Sequence, residues 1–278
     1  MSFRNNSVKL ILYLALFVGV VVFLTPFLYM VAVALTRATR IMPYPPILFP
    51  RNPYFGNFAV VWSRNNFGRY FLNSVFLACS STIVSFLVAT TSAYSFARFQ
   101  FPGKEMIFRF FLISMMVPGL LNIVPQFVMI KFFRLVNTYT GLLLLYSSTG
   151  VAFQTFFLRG FFEIIPREME ESIRLDGGSR FTIYRYIMLP LSTPALATLA
   201  IFTFSASWDE FFLALTFIKS EWKRTLPIAI RLFQQQYGTE WGLVFAASLI
   251  AIIPIITIFV VFQKRFIRGE LTTGAVKF

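Results

Sequence analysis

Six apolar stretches of bilayer length dominate this sequence, at roughly 9–35, 71–97, 107–131, 139–160, 191–217 and 243–263. About 20 consecutive apolar residues are enough for a helix to cross a membrane. Inside hydrocarbon every backbone N–H and C=O must find a partner within the protein, so only helices and closed barrels span it. These runs are continuously apolar rather than alternating, which points to helices. Hydrophobic residues make up 57% of the chain and charged residues only 13%, and phenylalanine alone occurs 37 times. A soluble domain carries about 25% charged residues, so lipid has to be part of the solvent. The expectation is an all-α membrane protein of six transmembrane helices forming one domain over 1–278. No appended soluble domain, low-complexity segment or strong internal repeat stands out.

What the chain lacks narrows its chemistry. It has no histidine, and its one cysteine, Cys79, lies in an apolar run. The commonest general base and transition-metal ligand are therefore missing, and no disulfide can form within the chain. A Ser-His-Asp arrangement is impossible, and nothing points to a covalent nucleophile. No G-x-x-x-x-G-K-[S/T] occurs: Gly103-Lys104 lacks the upstream glycine and the following hydroxyl, and Gly177-Gly178 is not followed by lysine. The chain is not expected to hydrolyse ATP itself, to hold a metal or to bind a cofactor of its own. Its net charge of +14 would suit nucleic acid in a soluble protein. Here the basic residues sit between apolar runs, so lipid headgroups and partner subunits are the better reading, with no nucleic acid partner.

The first apolar run follows a basic start, "MSFRNNSVKL", as a signal peptide would. It continues to about Leu35 without a small-residue cleavage site and reads as an uncleaved span. The 37–69 link is rich in proline and asparagine, and Pro43, Pro45, Pro46 and Pro50 rule out a long helix there. The 218–242 link carries Trp222 and Trp241, residues suited to a membrane interface. With both termini inside, cytoplasmic segments would hold 14 Lys/Arg and the other side 11. That bias favours termini-inside only slightly.

The segment 161–190 breaks the pattern. It is charged and wedged between long apolar runs, and contains "RLDGGSRFTIYRYIMLP". Phe162, Ile165, Met169 and Ile173 recur at helical spacing and predict one amphipathic face. Pro166 suits a first helical turn, Glu168, Glu170 and Glu171 suit the N-terminal end, and Arg174 suits the C-terminal end. Gly177-Gly178 stops this helix, and Ser179 can cap a second short one. A helix lying on headgroups would carry a Lys/Arg-rich polar face. This one is acidic for half its length, as a knob made to dock into a protein groove would be.

The same residues resemble the "EAA" loop of ABC-importer permeases: E-A-A, three residues, G, nine residues, I, one residue, L-P. Glu171, Ser172 and Ile173 occupy the first three places, with Ser172 and Ile173 where alanines are usual. Gly177 follows after three residues and Ile187 after nine more, and Leu189-Pro190 complete the pattern. Further stretches are similar to the maltose-type carbohydrate permeases, specifically the second of the two paired subunits: "RYFLNS" (69–74), "AYSFARFQFPGK" (93–104), "SWDEFFLAL" (207–215) and the tail "GELTTGAVK" (269–277). The resemblance implies a plasma-membrane permease with both termini cytoplasmic. It implies a second homologous permease subunit, two ATPase subunits that bind ATP and Mg, and an extracytoplasmic solute-binding protein. On that reading Glu171, Ser172, Ile173, Asp176, Gly177, Ile187, Leu189 and Pro190 form the coupling loop to the ATPase. The solute would be a sugar or sugar-like compound, with glycerol 3-phosphate or a polyol as alternatives.

Polar residues inside the apolar runs are the candidates for a translocation path. Asn122 and Gln126 lie four apart between Pro118 and Pro125 in the third run, and Asp209 and Glu210 lie in the fifth. A carboxylate in hydrocarbon costs at least ~2.5 kcal/mol, so the acids must face water, a partner or the path, or else make a structural hydrogen bond. Two other classes of function compete. An ion-driven secondary transporter would show matched broken helices in its two halves, and only the third run is visibly broken. A membrane-embedded enzyme lacks any facing acid pair.

Overall fold

The computed structural model describes residues 3–37, 42, 44–64, 66–235 and 238–275, except for the side chains of 3–7, 235 and 265–275. Part of the 37–69 link, including Arg40 and Pro43, and the side chains of the 269–277 tail lie outside the described residues.

The chain is helical almost throughout. The helices are α1 (Phe3–Ala34), α2 (Gly56–Ser63), α3 (Phe67–Arg98), α4 (Lys104–Met116), α5 (Ile123–Phe132), α6 (Tyr139–Thr149) and α7 (Val151–Ile164). They continue with α8 (Glu168–Leu175), α9 (Arg180–Ile183), α10 (Leu189–Leu191), α11 (Thr193–Trp208), α12 (Phe212–Phe217), α13 (Leu226–Leu232) and α14 (Trp241–Ala275). Among the described residues the strand content is one minimal antiparallel pairing, β1 (Gln234–Gln235) with β2 (Gly238–Thr239).

Three of the expected spans are single long helices, at Val8–Ala34, Phe67–Arg98 and Trp241–Lys264. Three more are bent pairs of helices, which brings the number of spans to as many as six. The third bends by 104° between Met116 and Gly119. Val117 there is extended, as a residue before proline tends to be. The fourth bends by 43° at Gly150, a break the continuous apolar pattern did not announce. The fifth differs most from expectation. Its helix α11, 16 residues long, stops at Trp208, and Phe212–Phe217 form the separate short helix α12. In place of one straight span, Arg180–Leu191 and Thr193–Trp208 form a pair bent by 77°.

Two compact units divide the chain: 1–68 with 229–253, and 69–228 with 254–278. In the first unit, Asn57 is buried and donates its amide to the carbonyls of Ala34 and Thr36, 2.7 and 2.5 Å away, closing α1 against α2. Arg64 pairs with Glu240 at 2.9 Å. Most of α1 exposes its side chains, among them Leu10, Ile11, Phe17 and Phe23. In water such an apolar surface would drive aggregation; in a bilayer it is the solvent-facing side.

The second unit carries the larger core. Small residues let its helices approach closely, as membrane bundles do: Ala89, Ala93 and Ala97 on α3 are buried with Ala195 and Leu199 on α11 and Leu158 and Phe162 on α7. Several polar side chains inside this unit bond across it. Ser81 bonds Ser207 at 2.9 Å, Ser85 donates to the Ser147 carbonyl at 2.6 Å, and Gln154 donates to Thr203 at 2.9 Å. Thr82, Thr91, Ser95 and Thr198 donate back to carbonyls four residues earlier, which hides a hydroxyl within its own helix.

Candidate functional site

The charged segment is two helices with a shaped turn between them. Ile165 is extended before Pro166 and ends α7. The face that the spacing of Phe162, Ile165, Met169 and Ile173 suggested is therefore shared by two helices, and Pro166 precedes α8 instead of opening it. Phe162 and Ile165 are buried, whereas Met169 is 41% exposed. Three glutamates occupy the first turn of α8 and Arg174 the last, the arrangement the helix dipole favours.

The end of α8 is a Schellman motif. Gly178 N–H donates to the Ile173 carbonyl at 2.8 Å, and Gly177 N–H to the Arg174 carbonyl at 3.0 Å. Gly177 has φ +80°, which disfavours any side chain. Gly178 has ordinary φ, but a Cβ there would collide with the Ile173 side chain. Ser179 then caps α9 in a reciprocal box: Thr182 N–H donates to the Ser179 hydroxyl, and Ser179 N–H to the Thr182 hydroxyl, both at 3.2 Å. A π-helical turn, Tyr184–Met188, leads into Pro190 and α11.

The predicted loop residues divide into two groups. Glu171, Ser172, Asp176 and Gly177 are exposed on α8 and its turn. Ile173 packs inward against the core, Ile187 is buried in that core, and Leu189 packs against it. Pro190 is exposed. The isoleucine at 173, where alanine is usual in the motif, thus enlarges the seat of the helix, while its outer face gains only the serine hydroxyl, which bonds back to the Met169 carbonyl at 3.0 Å.

Sequence reasoning passed over three residues that stand out here. Leu175 is 89% exposed at the end of α8, and Met169 and Phe181 in the same segment are exposed too. Glu170, read only as a dipole partner, is buried and pairs with Arg98 at 2.5 Å, the side chains being 6% (Arg98) and 5% (Glu170) exposed. Arg98 also donates to the Ile165 carbonyl at 2.5 Å. The one signal for Arg98 was its place in "AYSFARFQFPGK", and nothing local to either residue announced the pairing.

The four path candidates fall into two pairs on separate elements, and no hydrogen bond joins one pair to the other among the described residues. Asn122 closes a 3-10 turn, Gly119–Asn122, just after the 104° bend, and Gln126 sits on α5 with its Oε1 buried and without a hydrogen-bond partner. Asp209 is exposed just past the end of α11. Glu210 uses both carboxylate oxygens structurally: Leu213 and Ala214 N–H donate to it at 2.7 and 3.0 Å, capping α12. Among the described residues no group of three or more His, Cys, Asp or Glu is placed to hold a metal.

Residues 85–270 match the model of a family described as binding-protein-dependent transport system inner membrane component. A diacetylchitobiose uptake system permease protein of Streptomyces coelicolor is 35% identical over 84% of this chain and 77% of its own length. A sulfoquinovosyl glycerol transport system permease protein of Agrobacterium fabrum is 30% identical over 91% and 89%. A trehalose transport system permease protein of Mycobacterium tuberculosis is 30% identical over 83% and 84%. Among solved structures, a bacterial ABC transporter involved in import of the acidic polysaccharide alginate matches with TM-score 0.81 and 20% identity, over 96% of this chain and 99% of that one. This likeness extends the family resemblance to the fold. Together with the span pattern and the 161–190 loop, these matches make the chain a member of the binding-protein-dependent transport system inner membrane component family, a permease subunit of an ABC importer.

Proposed function

We propose that this permease imports a sugar or sugar-like solute, and that its α8–turn–α9 knob is the joint that receives movement from a cytoplasmic ATPase. The observation that carries this reading is the knob itself. An amphipathic helix is ended by a Schellman turn, presents Glu171 and Leu175 outward, and rests on the core through Ile173 and Glu170. An apolar tip with an acidic shoulder suits a groove in a protein.

The partners on this reading are a second permease subunit, two ATPase subunits and an extracytoplasmic solute-binding protein. ATP and Mg belong to the ATPase, and this chain binds no cofactor. ATP-driven closure of the ATPases pulls the paired knobs together and turns the permease pair to face outward. The knob lies in the cytoplasm together with both termini, and the 132–138 and 218–242 links lie outside. Relatives named for diacetylchitobiose, trehalose and sulfoquinovosyl glycerol support a glycoside-type solute.

Uptake tests the reading. Cells carrying the intact transporter are given labelled trehalose, diacetylchitobiose, a glycerol glycoside and glycerol 3-phosphate, with and without ATP depletion. Uptake of at least one glycoside that stops on ATP depletion is expected. Uptake that follows an ion gradient and survives ATP depletion identifies a secondary transporter and overturns the proposal.

A further inference from the structure

The knob is joined by the chain to α7 and α11, yet it rests on α3. Three side chains four residues apart along one face of α3 meet it in sequence: Thr90 bonds the Tyr184 hydroxyl at 2.7 Å, Tyr94 donates to the Arg180 carbonyl at 3.3 Å, and Arg98 pairs with Glu170 at 2.5 Å. Spacing of four keeps successive side chains on one face of a helix. The π-turn, α9 and α8 are thus each held by a successive turn of the same helix. Arg98 also holds the last carbonyl region of α7 through Ile165. Tyr94 packs edge-on against Phe99 and Phe162, with ring centroids 5.2 and 6.5 Å apart, filling the space between these polar contacts.

The Arg98–Glu170 pair is the most buried ion pair among the described residues. Burying two charges gains little stability compared with apolar packing of the same volume. Such a pair does resist separation, because pulling α8 away from α3 would strand a charge in the interior, and the guanidinium is held on its other side by the Ile165 carbonyl. Glu170 also lies 3.7 Å from Arg174, a half-exposed residue one turn later on α8. One carboxylate therefore contacts both a buried guanidinium of α3 and a solvent-accessible one at the end of α8.

We propose that Arg98 and Glu170 are positioning residues that make α8 and the inner end of α3 move as one body, so that ATPase movement enters the second span directly as well as the fifth. This inference rests on the coupling role proposed for the knob. Adjacent glutamates then have opposite tasks: Glu171 faces the ATPase, and Glu170 holds the permease.

The test is a distance, measured in the whole transporter purified with its ATPase and partner permease. Spin labels go on Thr91→Cys of α3 and Glu168→Cys of α8, in a Cys79→Ser background, with and without Mg-ATP trapped by vanadate. With Arg98 and Glu170 present, the distance is expected to be the same in both states. In Arg98→Met/Glu170→Met, which leaves no unpaired charge and keeps apolar packing, the distance is expected to shift or broaden with ATP by on the order of 2 Å, the scale of helix shifts in switching proteins. A distance that changes with ATP in the paired protein overturns the inference. So does a double variant whose distance stays fixed, since the pair is then dispensable packing. If no ATPase co-purifies even with the unaltered chain, the coupling role of the knob has failed, and the inference falls with it for a separately visible reason.

Discussion

The two ends of α3 are held in different ways. Near its start Asn73 donates to the carbonyls of Trp222 and Arg224, both at 2.9 Å, and accepts from the Tyr139 hydroxyl. Beside it Asn137 accepts from the Lys219 and Ser220 N–H groups at 3.1 and 2.9 Å and donates to the Ser220 hydroxyl, while its own N–H reaches the Phe217 carbonyl. This clamp ties the 132–138 and 218–225 links to α3 with neutral amides, and most of its bonds end on backbone. About 37 Å further along the helix, at 1.5 Å per residue, Arg98 and Glu170 hold the knob with buried charge. A neutral clamp is satisfied bond by bond and tolerates loss of one. A buried ion pair is all or nothing, because either partner alone is a stranded charge. The first kind suits links that have to stay in place, and the second suits the force-carrying joint proposed for the knob.

Substitutions can break this contrast, in order of expected effect. Arg98→Met leaves Glu170 buried with only the longer 3.7 Å contact to half-exposed Arg174, and is expected to cost about 3–5 kcal/mol in the thermal or denaturant unfolding of the detergent-solubilised chain. Arg98→Met/Glu170→Met is expected to recover most of that loss. If the single and double variants unfold alike, the charged end is not all-or-nothing. Asn137→Gly keeps a residue that tolerates the φ of +63° at this position and removes only the amide. Loss of a side chain serving two backbone donors is expected to cost about 1–3 kcal/mol, with the exchange of the Lys219 and Ser220 amides accelerated first. Exchange unchanged at those two amides contradicts the clamp. Glu210→Gln weakens the cap on α12 and is expected to cost about 0.5–2 kcal/mol without changing solute selectivity. A selectivity change would return Glu210 to the translocation path. Gly177→Ala meets no neighbour within 4 Å, so only its backbone is strained. It is expected to cost about 1 kcal/mol while leaving uptake at low temperature nearly intact.

The sequence made the spans and the knob legible because both are written locally. Apolar runs of bilayer length have few alternatives as helices, and Gly177-Gly178 after a dipole-ordered helix announces its own stop. The breaks were less legible. Pro118 signalled the third, but Gly150 alone marked the fourth. The fifth was misread at its end because Phe211 to Phe217 continue the apolar composition after α11 has stopped, and composition does not register that the helix axis has changed. Glu210 is a path candidate by its cost in lipid, and its partners are backbone N–H groups three and four residues on, the structural hydrogen bond that the same cost allows. The Arg98–Glu170 pair was invisible because its partners lie 72 positions apart, and each had an adequate local explanation. Glu171 and Glu170 are neighbours of identical chemistry, and only packing tells the outward one from the inward one.

The most direct measurement of the knob's role is co-purification of the ATPase with the tagged chain from native membranes, comparing the unaltered protein with Leu175→Asp. Leu175 is 89% exposed, so the substitution leaves the fold intact and changes only the tip of α8. An ATPase and a second permease that accompany the unaltered chain, with the ATPase lost from Leu175→Asp and the second permease retained, is the predicted result. An ATPase retained at the same level by Leu175→Asp, or absent from the unaltered chain while solute uptake continues, would contradict the account.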